Sequence, residues 1–315
     1  MFGLLDLKLY GTAILVLVGV LWNIFNLTAT IVEQLRSGGI WMVAAIICSI
    51  SLCNILLHIA TFLLAMSEWF GVPCWSDLPW LHSLVLFIWF CGSCTSFWST
   101  ACLSLIYCIK VVSFSSPLFH GIKRNISAIT GVIMALTLMT SCLFVTPMLL
   151  LRRIKVNESL PINALENTTC TKEIHLFPSW IDTSSYMVSF VCYLALLPLV
   201  VLLPTALRLV IFLCRHTISM QKNQNTPSGI SSYLLVSQLT VALVGVYVTT
   251  TFTISLYYFS YFFKFSLSTD MVFLSLSIYC IASAVLQTAS NRRLREHLCA
   301  LFCNAKPPNT STATI

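Results

Sequence analysis

Long apolar runs separated by short polar segments dominate the pattern of this chain. Seven runs reach the roughly 20 residues that an α-helix needs to cross the hydrocarbon of a bilayer. The last two almost touch, and we divide them at Lys264 because together they are about twice the length of one span. The predicted spans are Leu9–Val32, Ile40–Met66, Trp80–Ile109, Ile126–Leu151, Ser184–Cys214, Ser231–Tyr261 and Ser266–Ser290.

The composition supports a membrane protein. Hydrophobic residues fill 58% of the 315 positions and charged residues only 9%, against about 25% charged in a soluble domain. Because so few charges cannot cover this length of chain for water, we predict an all-α integral membrane protein, a bundle of seven transmembrane helices. We expect a short N-terminal segment over 1–8, the membrane domain over 9–290 and a tail over 291–315. Without a basic n-region or cleavage site, the first span is expected to act as its own signal anchor.

Charges divide unevenly between the two sets of loops. With the N-terminus outside, the inner segments carry eleven basic and two acidic residues, and the outer segments six basic and eight acidic. Since Lys and Arg accumulate on the cytoplasmic side, we predict a multi-pass plasma-membrane protein with an extracellular N-terminus and a cytoplasmic C-terminus. The sequons at Asn157 and Asn167 then fall in an outer loop and are candidates for N-glycosylation.

Most of the 14 cysteines lie inside the apolar runs, where a thiol packs as a small polarisable group. No pair has metal-ligand spacing in a polar loop, so we expect no metal and no cofactor. Cys74 and Cys170 fall in outer loops and are candidates for a disulfide. Cys299 and Cys303 follow the last span and are candidates for palmitoylation.

Three features of the sequence add detail to the predicted set of helices. Leu294 and Leu298 stand at helical spacing opposite basic residues, which predicts a short amphipathic helix on the inner membrane surface after the seventh span. Pro198 and Pro204 predict a kinked or locally unwound fifth span. Polar residues within the first two spans admit two interpretations, interhelical hydrogen bonding or ligand contact, and these are Asn23, Asn54 and His58.

The segment Cys102–Phe119, CLSLIYCIKVVSFSSPLF, closely resembles the end of the third helix in bitter taste receptors (type 2 taste receptors). The residues that match in place are Leu103, Ser104, Tyr107, Lys110, Phe114, Ser115, Pro117, Leu118 and Phe119. Further matches in register are Asn23, Pro198, Arg215, His216, Met220, Gln238, Tyr247 and the run Asn291–Arg295.

The chain also departs from the family. By register, Leu52 takes the place of the family's arginine in the second span, Ser113 replaces an asparagine, and Ser283-Ala284 replaces a His-Ser pair. The resemblance therefore indicates a divergent member, with vomeronasal type 1 pheromone receptors as the related alternative. The Asp-Arg-Tyr and Asn-Pro-x-x-Tyr motifs of rhodopsin-like receptors are absent from the sequence, which disfavours that class.

The resemblance implies a G-protein-coupled receptor for small, mostly apolar bitter-type compounds. It implies membrane lipids and a heterotrimeric G protein with a gustducin-like α subunit as partners, no nucleic acid, and leaves homo- or hetero-oligomers open. Trp89 matches the family's ligand-stacking tryptophan, although a membrane-interface anchor or a packing residue is an equal interpretation. The candidate ligand-binding residues are Trp89, Ser93, Thr250 and Phe273. The candidate G-protein-coupling residues are Tyr107, Lys110, Lys123, Arg124, Arg215 and His216.

Two other classes are less well supported by the sequence. A transporter predicts internal repeats and charged residues near the bilayer midplane, and neither is seen. An intramembrane enzyme needs a buried catalytic constellation, whereas His58 has no evident carboxylate partner along the chain. We therefore expect no enzymatic activity.

Overall fold

The computed structural model describes residues 4–37, 41–69, 79–112, 121, 123–149, 152–157, 171–176, 181–223, 227–263 and 268–303. Within these ranges, seven helices are long and apolar enough to cross a membrane. The predicted seven-helix fold is thereby confirmed. Spans one to seven are, in order, Leu4–Ser37, Trp41–Trp69, Pro79–Val111, Ile126–Leu149, the three segments Thr183–Val191, Cys192–Leu196 and Leu197–Asn223 that together form span five, Pro227–Phe263, and Thr269–Ser290.

Most helix ends lie within a few residues of the ends of the predicted apolar runs, except in spans one and five. Span five continues to Asn223 rather than ending at Cys214. Span six ends at Phe263, and span seven begins after Ser268, whose hydroxyl accepts the N–H of Asp270 at 3.3 Å. This N-cap confirms the division of the last two runs. A terminal helix, Arg292–Cys303, follows span seven with Leu294 buried, as the amphipathic pattern predicted. The first helix begins at Leu4 rather than Leu9.

Span five begins with a capped turn and contains an irregular one. Asp182 accepts hydrogen bonds from the hydroxyl and N–H of Ser185, and these bonds lower the pKa of its carboxyl. A π-helical turn, Cys192–Leu196, precedes Pro198. Because proline cannot donate to the carbonyl four residues earlier, the helix widens locally. The predicted irregularity is therefore a π-turn, whereas Pro204 lies in a regular part of the helix.

Spans four and five are separated by a segment that contains a β-hairpin, which the sequence interpretation had treated as a loop. Strand β1 (Arg152–Asn157) pairs antiparallel with strand β2 (Thr171–Leu176), with Arg152 opposite Leu176 and Asn157 opposite Thr171. Both strands contain β-branched residues, which favour extended structure. The hairpin leaves the seven-helix core unchanged.

Aromatic side chains fill the middle of the bundle. Phe97 of span three packs against Tyr247 and Tyr279, with ring centroids 5.1 and 4.8 Å apart. All three side chains are fully buried. Large aliphatic side chains such as Leu136 and Val200 cover the outside of the bundle. An apolar exterior of this kind fits a hydrocarbon environment.

Candidate functional site

The two ends of the bundle are defined by their ionic residues. The ammonium of Lys8, near the start of span one, lies 2.6 Å from the Asp270 carboxylate at the start of span seven. The indole N–H of Trp69, at the end of span two, donates to the same carboxylate at 3.0 Å. Spans one and seven therefore run in parallel, and span two runs opposite to them. We call this the Asp270 end, and the other the Lys110 end.

Trp89 lies inside the bundle in the half nearer the Asp270 end. Its side chain is only 6% exposed, and its indole N–H donates to the hydroxyl of Thr61 at 2.9 Å. Phe273 meets the indole edge-on, with ring centroids 6.1 Å apart. The structure thus brings together two predicted ligand-binding residues and adds Thr61, which sequence reasoning missed. A buried position excludes the membrane-interface interpretation of Trp89.

The other two candidate ligand residues use their hydroxyls within the protein. Ser93 is buried and donates to the carbonyl of Trp89, one turn earlier in its own helix, at 2.8 Å. Thr250 donates to the carbonyl of Val246 at 2.9 Å and approaches the carbonyl of Ser275 in span seven at 3.4 Å. The Ser93 hydroxyl is therefore bonded within span three, whereas that of Thr250 also reaches span seven.

A cavity of about 230 Å³ opens between spans one, two and seven at the Asp270 end. Phe273 forms part of its wall, so this side chain separates the cavity from Trp89. The ion pair of Lys8 and Asp270 lies on the same wall. The candidate ligand-binding residues named from the sequence lie on spans three, six and seven, and did not indicate this cavity beside spans one and two.

A buried polar network joins four spans around Asn54. Its amide donates to the hydroxyl of Ser283 at 3.0 Å and to the side-chain oxygen of Asn23 at 3.2 Å, and its oxygen accepts from Ser96 at 2.8 Å. Ser96 and Thr100 also lie 3.3 and 2.9 Å from the hydroxyl of Tyr279. The hydrogen-bonding interpretation of Asn23 and Asn54 is confirmed, because these bonds link spans one, two, three and seven.

The structure also bears on the predictions made for Leu52 and His58 in span two. Leu52 was placed in the position of the family's arginine, but it is 50% exposed and faces away from the polar network. Asn54 is the residue that occupies the buried polar position. His58 is buried against Gly19 of span one, and neither ring nitrogen has a hydrogen-bond partner among the described residues. Interhelical hydrogen bonding therefore does not account for His58.

A second cavity, of about 330 Å³, lies between spans three, five, six and seven toward the Lys110 end. Tyr107 and Ser104 of span three line it, and Gln287 of span seven contributes a buried side-chain oxygen without a partner in the described structure. Ser104 also lies 3.0 Å from the hydroxyl of Thr205, which joins spans three and five beside the cavity. Most of the remaining wall is leucine and valine.

Basic side chains surround the Lys110 end. Lys110 is half-buried in the last turn of span three, and the other basic candidates are exposed. The ring of His216 stacks on that of Phe212 with centroids 6.1 Å apart. Two of these exposed residues lie just before span four and two near the end of span five, and they are Lys123, Arg124, Arg215 and His216.

The candidate modification sites are only partly described by the structure. Asn157 is the last residue of β1, and Cys299 is exposed on the terminal helix. Cys303 ends that helix. Asn167, Cys74 and Cys170 lie outside the described residues. Among the residues that the structure describes, no group of three or more His, Cys, Asp or Glu side chains could hold a metal ion.

The fold and these buried sites define a multi-pass membrane protein with the seven-helix architecture of a receptor bundle. The sequence model of the family described as Taste receptor protein (TAS2R) matches residues 6–306. The chain therefore belongs to the taste receptor type 2 family, as the segment at the end of span three indicated.

Several mouse proteins show this similarity. The chain is 23% identical to taste receptor type 2 member 16 over 47% of its length and 48% of the relative's. It is 26% identical to member 39 over 65% of this chain and 62% of the relative. It is 22% identical to member 103 over 76% of this chain and 73% of the relative. The matched part of the chain spans about half to three quarters of these relatives.

Proposed function

We propose that this protein is a G-protein-coupled receptor for small, mostly apolar bitter-type compounds. Membership of the taste receptor family supports this, and the relatives reported above favour a taste receptor over the vomeronasal alternative. One structural relationship carries the proposal. Span three packs Trp89 against Phe273 in one half of the bundle and places Tyr107 in a cavity in the other half.

Agonist is proposed to bind at the group formed by Trp89 and Phe273, with Ser93 and Thr250 at the same level. A site of this kind, apolar with a few polar groups, suits a small apolar compound. Agonist shifts the population only by binding one arrangement of the bundle better than another. The buried rings of Phe97, Tyr247 and Tyr279 belong to the same hydrophobic cluster as Trp89 and Phe273. The hydroxyl of Tyr279 lies 2.9 Å from that of Thr100, which lines the cavity beside Tyr107.

Coupling is proposed to occur at the Lys110 end, with a gustducin-like α subunit as the partner. The cavity there is the space that a C-terminal helix of the α subunit would enter when it widens. Lys110, Arg215 and His216 would meet acidic side chains or the terminal carboxylate of that helix, because opposite charges steer and orient such encounters. Tyr107 would form part of the wall that the helix contacts.

This mechanism requires the Lys110 end to face the cytoplasm and the N-terminus to lie outside. The excess of basic residues in the inner segments supports that orientation. Glycosylation provides a test, because both sequons between spans four and five would then be extracellular. A glycosidase-sensitive gel shift that Asn157→Gln together with Asn167→Gln abolishes would agree with it. Detection of the N-terminus of the full chain only after cell permeabilisation would contradict it.

The function is tested by screening diverse bitter compounds on cells that express the full chain with a promiscuous or gustducin-like G protein. Calcium signals that depend on the receptor would support the proposal. No response above mock cells to any compound, at verified surface expression, would count against it. For a compound that responds, Trp89→Ala should shift the dose–response curve, whereas Trp80→Ala, at the exposed start of span three, should not. An unchanged curve for Trp89→Ala would remove Trp89 from the ligand site.

A further inference from the structure

We propose that the cavity between spans one, two and seven at the Asp270 end binds small organic cations, with a protonated amine paired to the Asp270 carboxylate. This site is separate from the Trp89 level, from which the Phe273 side chain divides it. Binding there does not require signalling. The inference therefore stands or falls independently of the proposed receptor function.

The cavity has the size and composition of a site for a small molecule. Its volume of about 230 Å³ lies below the range of about 300–1,000 Å³ that is common for ligand pockets, so it suits a compact ligand. Leu15, Phe273 and Leu274 supply apolar wall, and Lys8 and Asp270 supply the charged groups. An apolar space with a few convergent polar groups is the usual form of a binding site.

Asp270 is held in place by more than its ion pair. One carboxylate oxygen accepts the indole N–H of Trp69 at 3.0 Å, and the other receives the ammonium of Lys8 at 2.6 Å. The residue also lies in the first turn of span seven, which Ser268 caps. If Lys8 moves away, the Trp69 hydrogen bond and the capped helix still keep the carboxylate in the cavity wall.

The charge balance at this end favours a cationic ligand. Glu68 hydrogen-bonds Thr269, next to Asp270, and interacts electrostatically with Asp270. The described side chains at this end therefore include two interacting carboxylates, of which Asp270 lines the cavity, and the ammonium of Lys8, which pairs with Asp270. Because Lys8 balances only one of the two carboxylates, the local charge repels an incoming anion and attracts a cation, which can take the place of the Lys8 ammonium.

Lys8 is the group that a cationic ligand would replace. Its side chain is 42% exposed, against 29% for that of Asp270. A lysine ammonium is strongly hydrated and stands on a flexible four-carbon stem, so it can leave toward water. A ligand amine in its place would share the cavity with the side chains of Trp69 and Phe273, which supply apolar contact for the rest of the ligand. Lys8 thus acts as an internal competitor for the site.

Gly11 makes the proposal testable without disturbing the ion pair. It lines the cavity, and a Cβ added there meets no atom within 4 Å, so Gly11→Cys introduces a thiol into open space. In the purified full chain, the labelling rates of this thiol with a trimethylammonium-ethyl and a sulfonatoethyl methanethiosulfonate report the local charge. The same chain without Gly11→Cys supplies the background from native cysteines. We expect the cationic reagent to react about tenfold faster than the anionic one, a difference of about 1.4 kcal/mol.

Two second-site variants should act in opposite directions. In the Gly11→Cys chain, Asp270→Asn should bring the ratio of cationic to anionic labelling rates close to the ratio measured for Gly131→Cys. Lys8→Gln should raise the ratio. Gly131→Cys is the matched control, because Gly131 also has open space and lines a crevice between spans two, three and four whose described wall has no charged side chain. If both variants raise labelling by both reagents equally, the ion pair only holds spans one and seven together, and the proposal is overturned.

A direct binding measurement completes the test. We expect 2-phenylethylammonium, added before the reagent, to protect the Gly11→Cys thiol, and the neutral 2-phenylethanol of similar shape to protect it far less. Asp270→Asn should abolish the difference between the two compounds. Equal protection by both, or protection by neither, would overturn the assignment of a cation site.

Discussion

The indole N–H of Trp89 donates a hydrogen bond to the hydroxyl of Thr61, 2.9 Å away, and thereby joins spans two and three inside the membrane. Trp89 is buried, so this bond satisfies a donor that has no access to water at this depth. The sequence identified the tryptophan from its position, but Thr61 is one of many threonines in apolar runs. Nothing in the sequence distinguished it as the partner.

Removing the acceptor should destabilise the bundle. Thr61→Val keeps the shape of the side chain but leaves the buried N–H of Trp89 unpaired, which costs about 1–3 kcal/mol. We expect a lower midpoint of thermal unfolding for the purified protein. Thr249→Val is the control, because its hydroxyl is exposed and bonds only within its own helix. Equal midpoints for the two variants would show that the Thr61 bond contributes nothing.

Replacing Asn54 should be more severe than replacing its neighbour Leu52. Asn54→Leu removes bonds to Ser96, Ser283 and Asn23 in three other spans, and leaves several buried polar groups without partners. We expect surface expression to fall several-fold. Leu52→Ala, on the lipid-facing side, should stay within about 0.5 kcal/mol of the parent chain. A larger loss of expression for Leu52→Ala would contradict the orientation of span two.

Gly19 is required because His58 packs directly on its backbone. A Cβ at this position would overlap the imidazole ring. Gly19→Ala should therefore reduce the free energy of unfolding by about 1–3 kcal/mol, because the site becomes overpacked, and so lower the thermal midpoint. His58→Ala removes the obstacle and should restore much of that loss in the double variant. Gly11→Ala, which has open space, should behave like the parent chain. Additive losses in the double variant would show that the two residues do not interact.

Lys110 should affect coupling without affecting ligand binding. Lys110→Glu reverses a half-buried charge at the end of span three, which repels an acidic partner at the proposed G-protein site. We expect agonist-stimulated nucleotide exchange on the G protein to be lost at unchanged agonist affinity. Arg36→Glu, an exposed charge in the last turn of span one, is the matched control. Intact exchange with Lys110→Glu would remove Lys110 from the coupling surface.

The main features of the fold could be predicted because hydrophobic length is a strong signal. Seven apolar runs specified seven helices, and Lys264 marked the division between the last two, which the N-cap at Ser268 confirms. The amphipathic helix at Arg292–Cys303 followed from its leucines. The hairpin of β1 and β2 was missed, because short strands in a polar segment carry a much weaker pattern than a span.

The candidate site was predicted only in part. Trp89 and Phe273 do meet, but Thr61 and the cavity between spans one, two and seven were not foreseen. Leu52 illustrates the difficulty. Alignment with a motif placed it at a polar position, whereas two residues along the helix Asn54 turns into the bundle. A shift of two residues rotates the side chain by about 200° on an α-helix.

By itself, the sequence determined the number and approximate positions of the spans, the uneven distribution of charge and the family to which the chain belongs. Only the tertiary structure decided which face of each span turns inward, and so which polar groups meet around Asn54, Trp89 and Asp270. The reason is physical. Lipid tails are as apolar as leucine, so the outer and inner faces of a span are both hydrophobic, and their periodicity does not separate them. Packing between helices makes that choice.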